Sequence, residues 1–321
     1  MAKQKKPLFL SVAALLALLF LPLCVDMYIQ TVVNKLLINI IIVLGLNFIT
    51  GLTGQMNLGT AGIWALGAYT YGIFTTDLGW NGWIAMIILI LLGIAVGRSL
   101  GYPSLRLGGF YLSLTTIGFS EIVRLLITNI TWLTGGVIGL NYIPKLDLPF
   151  YKFKGHGDYY YLLLFFTVVA VLIAHKIVNS KWGRAFKSIR DNAEASEACG
   201  IKVSTLKIQA FTLASLYACL AGGLYAGMVV YINPTTFTIP QAQNYIAMLM
   251  IGGIGSVPGN ILGATLVTVL PELLRSLGDY YWLVFCSLCL TMAVLVPDGL
   301  YPLIKKALAP VSGLWGRRSK A

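Results

Sequence analysis

Ten apolar runs spaced along almost the whole chain leave few folds open to it: residues 8–23, 32–49, 56–75, 83–96, 109–128, 159–177, 206–231, 245–254, 261–277 and 281–296. Most approach the ~20 residues that a helix rising 1.5 Å per residue needs to cross hydrocarbon. Only 11% of the residues are charged, against about 25% in an average soluble domain. These features predict an all-α, polytopic integral membrane protein of about ten transmembrane or partly re-entrant helices. The expected unit is a single membrane domain over 1–321, with helical groups at 8–177 and 205–304, a polar loop at 178–204 and a basic tail at 305–321.

Charge supplies the sidedness. Residues 176–207 form a polar island of seven basic and three acidic residues between long apolar segments. Basic loops are retained on the cytoplasmic face. With the N-terminus inside, ten crossings place Arg98 with Arg106, the island and the tail Lys305, Lys306, Arg317, Arg318 and Lys320 all in the cytosol. Asp77, Asp158 and Asp279 then fall outside, as do Lys145, Lys152 and Lys154 in a long loop of the kind that crosses regardless of charge. Both termini are expected in the cytoplasm. The net charge of +12 is thereby read as topology and contact with anionic lipid, not as nucleic-acid binding. Leu23 and Pro22 do not fit a cleavage site, so residues 8–23 are expected to stay as an uncleaved first helix.

Two junctions are short and rich in glycine: residues 51–59, GLTGQMNLG, and residues 252–260, GGIGSVPGN. Backbone released from a helix at membrane depth is tolerated inside protein or along a water-filled cavity, where transporters expose carbonyls and amide dipoles to a solute. The alternative is that these glycines, like Gly222 and Gly223, only allow close helix packing. Within the spans Glu121 precedes Arg124, and Glu272 precedes Arg275, by three residues. That spacing puts acid and base on one helix face, able to pair and lower the cost of insertion. A structural clip and a functional pair both fit.

Several chemistries are missing. There is no G-x-x-x-x-G-K-[ST] to cradle ATP phosphates, no H-E-x-x-H or cysteine cluster for a metal, and no G-x-S-x-G elbow. The chain is therefore expected to be neither an enzyme nor a metalloprotein, and to bind no cofactor itself. Cys286 and Cys289 form a C-x-x-C in an apolar run with no basic neighbour to stabilise thiolate, so they are expected to pack as small hydrophobes.

The island carries more than charge. Between Gly183 and Gly200, Phe186, Ile189, Ala193 and Ser196 recur at helical spacing opposite Lys187, Arg190, Glu194 and Glu197. Basic residues lead and acidic residues trail, which opposes the macrodipole of an autonomous helix. One or two short helices, stabilised by docking to something else, are predicted.

Lys181-Trp-Gly-Arg-Ala-Phe-Lys-Ser-Ile-Arg190-Asp-Asn192 with Ala198-Cys-Gly-Ile201 resembles the cytoplasmic signature of inner-membrane permeases of branched-chain amino-acid ABC transporters, the LivM type. Gly118-Phe-Ser-Glu121-Ile-Val-Arg124, Gly252-Gly-Ile-Gly255-Ser256, Pro271-Glu-Leu-Leu-Arg275 and Pro297-Asp-Gly-Leu300 follow the same family in order. The resemblance implies a permease in a bacterial inner membrane, paired with a second, homologous permease and two cytosolic ATPase subunits that bind the ATP. A periplasmic or lipid-anchored solute-binding protein would feed it with leucine, isoleucine and valine. It implies that Gly183, Arg184, Phe186, Arg190, Asp191, Glu194 and Gly200 belong to a helix coupled to the ATPase. Candidate lining of the path is Asn47, Gln55, Asn57, Tyr111, Thr115, Thr116 and Asn260. Urea and amide permeases share much of the signature, and an ion-coupled carrier working alone is a further alternative.

Overall fold

The structure, a computed structural model, describes residues 26–147 and 156–274 and some positions between 280 and 303. Helix α1 runs over Met27–Leu46 and continues into a π-helical turn at Asn47–Leu52. Helix α2 is Thr60–Thr76, and α3, Gly82–Gly101, starts where the Asn81 side chain accepts a hydrogen bond from the Trp83 amide, as a cap should. Helix α4 is Gly109–Asn129 and α5 is His156–Asn179. Two short helices follow, α6 at Lys181–Asp191 and α7 at Ala193–Ala198, and then α8 at Val203–Val229, α9 at Ile239–Gly252 and α10 at Val257–Leu273. Among the described residues the only β pairing is a single bridge between Leu140 and Ile232.

Among the described residues five stretches are long and apolar enough to cross a membrane: Met27–Leu52, Gly82–Arg106, Gly109–Asn129, Tyr159–Asn179 and Val203–Val229. The fold is all-α and multi-pass. The count of about ten is not reached among the described residues, for two reasons. The run at 8–23 and most of that at 281–296 lie outside them, as do Lys152, Lys154, Cys289, Arg275 and the basic tail. The runs at 56–75, 245–254 and 261–277 also give shorter helices than the long spans: α2 starts only at Thr60, α9 has 14 residues and α10 has 17.

Helix α8 is the axis of the bundle and packs chiefly on α3, α2 and α1. Lipid removes most of the hydrophobic drive for helices to associate, so close contact must come from small side chains. Where α8 crosses α2, a β-carbon on Gly222 would overlap the Trp64 carbonyl oxygen, and one on Gly67 would overlap the Cys219 carbonyl. The packing role expected of Gly222 is met. Helices α9 and α10 form a hairpin against α1, which also contacts α5. The chain thus leaves and re-enters helix at residues 53–59 and 253–256, as the glycine-rich junctions predicted.

Candidate functional site

The two junctions, about 200 residues apart in sequence, meet. Asn47, only 1% exposed, opens the π-helical turn, and its Oδ1 accepts a hydrogen bond of 2.9 Å from the Gly255 amide. Gly51 makes the arrangement possible, because a β-carbon there would overlap the same Asn47 carboxamide. Gly255 has φ +82°, a left-handed conformation open to glycine at little cost, and this aims its amide at Asn47.

The polar island docks onto this point. The Arg190 guanidinium donates to the Gly51 carbonyl at 2.9 Å, satisfying an acceptor near the end of the π-helical turn, where a cation is also favoured by the dipole. Its stem lies over Gly54, whose φ is +72°. Helix α6 contacts α5, α8 and the turn itself, and Phe186 and Ile189 are 0% and 4% exposed. The apolar stripe expected to dock elsewhere therefore docks on its own chain. A cavity of about 430 Å³ opens at the meeting point, lined by Gly51, Lys187, Arg190, Asp191, Gly255 and Ser256 among others.

The island is two helices because Asn192 breaks it. Asn192 is extended, at φ −159°, and its side chain accepts from the Ala195 amide as the cap of α7. The break moves Glu194 into the first turn of a new helix, where an acid is favoured, and so eases the unfavourable charge order. Gly183 sits over the end of α5, where a β-carbon would overlap the Val178 carbonyl, and Gly200, φ +84°, closes the segment. Arg184, Asp191 and Glu194 are exposed.

Beside the junctions several buried side chains are polar. The Asn57 Oδ1 accepts from the Gly59 amide at 2.9 Å, and the Thr116 hydroxyl accepts from the Leu58 amide at 3.1 Å, pinning the non-helical stretch to α4. Gln55 and Asn57 are buried, and Asn260 is fully so. The Asn47 Nδ2, Gln55 Oε1, Asn57 Nδ2 and both Asn260 side-chain polar atoms have no hydrogen-bond partner among the described residues. Leaving a buried polar atom unpaired costs about 1–3 kcal/mol, so each of these atoms favours a hydrogen-bonding partner.

Residues 28–295 match the family described as the permease component of branched-chain amino acid transport systems. The chain belongs to this family. It is 31% identical, over 96% of its length, to the high-affinity branched-chain amino acid transport system permease protein LivM of Salmonella typhimurium, covering 78% of that protein. The LivM of Escherichia coli is 32% identical over the same shares. The autoinducer 2 import system permease protein LsrC of Salmonella paratyphi B is 29% identical over 67% of this chain and 62% of its own length. No solved structure matches.

In this permease the remaining predicted residues divide. Tyr111, at 70% exposure, and Thr115 sit on the outward face of α4 and do not join the other candidates, because Thr116, one position on, is the one turned inward. The Arg124 Nε lies 3.1 and 3.0 Å from the two Glu121 carboxylate oxygens, and Nη2 also bonds Oε1, a closed pair about one-third exposed. Glu272 accepts from the Tyr28 hydroxyl, a partner the sequence did not suggest, while Arg275 lies outside the described residues. No group of three or more metal-ligating side chains occurs among the described residues. The sequence reading passed over Lys35, a lone cation in an otherwise apolar run, and the ring cluster of Trp64, Tyr225, Phe237 and Tyr245. A charge at that position was the available signal.

Proposed function

We propose that the chain is a permease subunit of an ATP-driven importer for leucine, isoleucine and valine, and that α6 couples it to ATPase subunits that bind the nucleotide. The observation that carries the coupling is the pair of hydrogen bonds joining Arg190 to Gly51 and Asn47 to Gly255. Through them a push on α6 reaches both helix breaks at once. On this reading α6 and α7 lie in the cytosol with both termini, and Arg184, Asp191 and Glu194 face the ATPase. A second, homologous permease completes the path, and a periplasmic or lipid-anchored binding protein delivers the solute. Gln55, Asn57, Thr116 and Asn260 line the inner half of the path and stand in for water around the solute's charged groups.

The LivM relatives support the solute class, being named for branched-chain amino acid transport at over 30% identity across nearly the whole chain. The test is reconstitution of the chain with its partner permease, ATPases and binding protein in liposomes. ATP-dependent uptake of L-leucine, L-isoleucine or L-valine that vanishes when the ATPase is omitted is the expected result. Uptake by the permease alone, driven by an ion gradient, would sink the proposal.

A further inference from the structure

A second cavity, of about 260 Å³, lies away from the junctions between α1, α2, α8 and α9. We infer that it is a subsite for an α-amino-acid zwitterion, with Lys35 taking the carboxylate, Asn39 the ammonium and the rings of Trp64, Tyr225 and Tyr245 the aliphatic side chain. The inference rests on the importer reading above and names where in the permease the solute is recognised.

Lys35 stands two turns into α1, exposed, and lines this cavity. An ammonium within a span is expensive in hydrocarbon and is kept where it faces protein or a water-filled space. Among the described residues no carboxylate pairs with it, and none of the residues lining the cavity is acidic. The cavity is thus electropositive on its own and suits an anionic group.

Asn39 is four positions on from Lys35, so the two lie on the same face of α1. Its Nδ2 donates to the Thr268 hydroxyl of α10 at 3.0 Å, which orients the carboxamide and leaves Oδ1 as the acceptor. A cation donor and a carbonyl acceptor one turn apart match the carboxylate and ammonium that share one α-carbon. Opposite them the Trp64 ring lies 4.8 Å from Tyr225 and 6.0 Å from Tyr245, centre to centre. Trp64, Tyr225 and Tyr245 line the cavity, giving it an aromatic wall against which a branched side chain can pack and whose π cloud also tolerates a nearby ammonium.

The experiment uses the complete importer in liposomes with L-leucine as probe, comparing Lys35→Gln, Lys35→Arg and Asn39→Leu. The expected result for Lys35→Gln is a complex that assembles on size-exclusion chromatography but imports leucine at least about tenfold more slowly, with Lys35→Arg restoring uptake to within about threefold of wild type. Asn39→Leu keeps a helix-forming side chain without the carbonyl and is expected to lose uptake similarly. It carries the test if Lys35→Gln does not assemble. Leucine uptake within twofold of wild type in an assembled Lys35→Gln or Asn39→Leu complex overturns the subsite while leaving the importer reading intact. A wild-type complex that imports none of the three branched-chain amino acids overturns that reading and the subsite with it.

Discussion

Arg190 shows how one side chain can serve two surfaces. Its guanidinium reaches inward to the Gly51 carbonyl although the residue as a whole is exposed beside Lys187 and Asp191. Replacing it with leucine leaves that carbonyl without its charged donor, a loss of about 1 kcal/mol at an exposed position. The larger effect is expected in coupling: in Arg190→Leu, ATP hydrolysis stimulated by the loaded binding protein should continue while leucine uptake falls about tenfold, measured on the same liposomes. Loss of both in equal measure would mean that Arg190 only holds the ATPase. Gly222 and Gly118 offer a contrast on packing. Gly222→Val forces a side chain into the Trp64 carbonyl and should lower the melting temperature in detergent, by the equivalent of about 1–3 kcal/mol. Gly118 has nothing within 4 Å of its β-position, so Gly118→Ala should leave the temperature unchanged or slightly raised. Composition made both glycines visible. Only the crossing of α2 on α8 distinguishes them.

Among the elements, the α6–α7 pair was partly legible. The spacing of Phe186 and Ile189 marked a buried face, and the order of charges argued against a helix stable on its own. The sequence did not say that the face would be buried on the permease itself, because periodicity reports that a surface is covered and not what covers it. The same limit applies to α9 and α10. Their apolar runs were plain, but glycine at 252, 259 and 263 draws them into a tight hairpin of helices shorter than the long spans. The cap between α6 and α7 can be tested directly. Asn192→Ala removes the acceptor for the Ala195 amide and should cost about 1 kcal/mol, while Asn192→Asp, also a good cap, should cost much less. Faster amide exchange confined to residues 193–200 in the alanine variant is the expected signature. Unchanged exchange there would show that α7 is held by other contacts.

At the scale of the whole molecule the fold joins the polar island to the interior through a short relay: Arg190 to Gly51, the π-helical turn to Asn47, and Asn47 to Gly255 at the head of α10. No sequence pattern could reveal this relay, since Asn47 and Gly255 are 208 positions apart and neither belongs to a spaced motif with the other. If both hydrogen bonds transmit one movement, breaking either should interrupt the same event. Mutations at distant independent sites add in free energy, whereas those in one network do not. The double variant Arg190→Leu with Asn47→Ala should therefore import leucine about as slowly as the slower of the two single variants. Two independent contributions would instead multiply, so a tenfold loss in each single variant would become about a hundredfold loss together. That outcome would separate the hold of α6 from the geometry of the breaks and leave the relay without a mechanical role. The non-additive one would make the meeting of the two glycine junctions the point where movement of the ATPase becomes movement of the path.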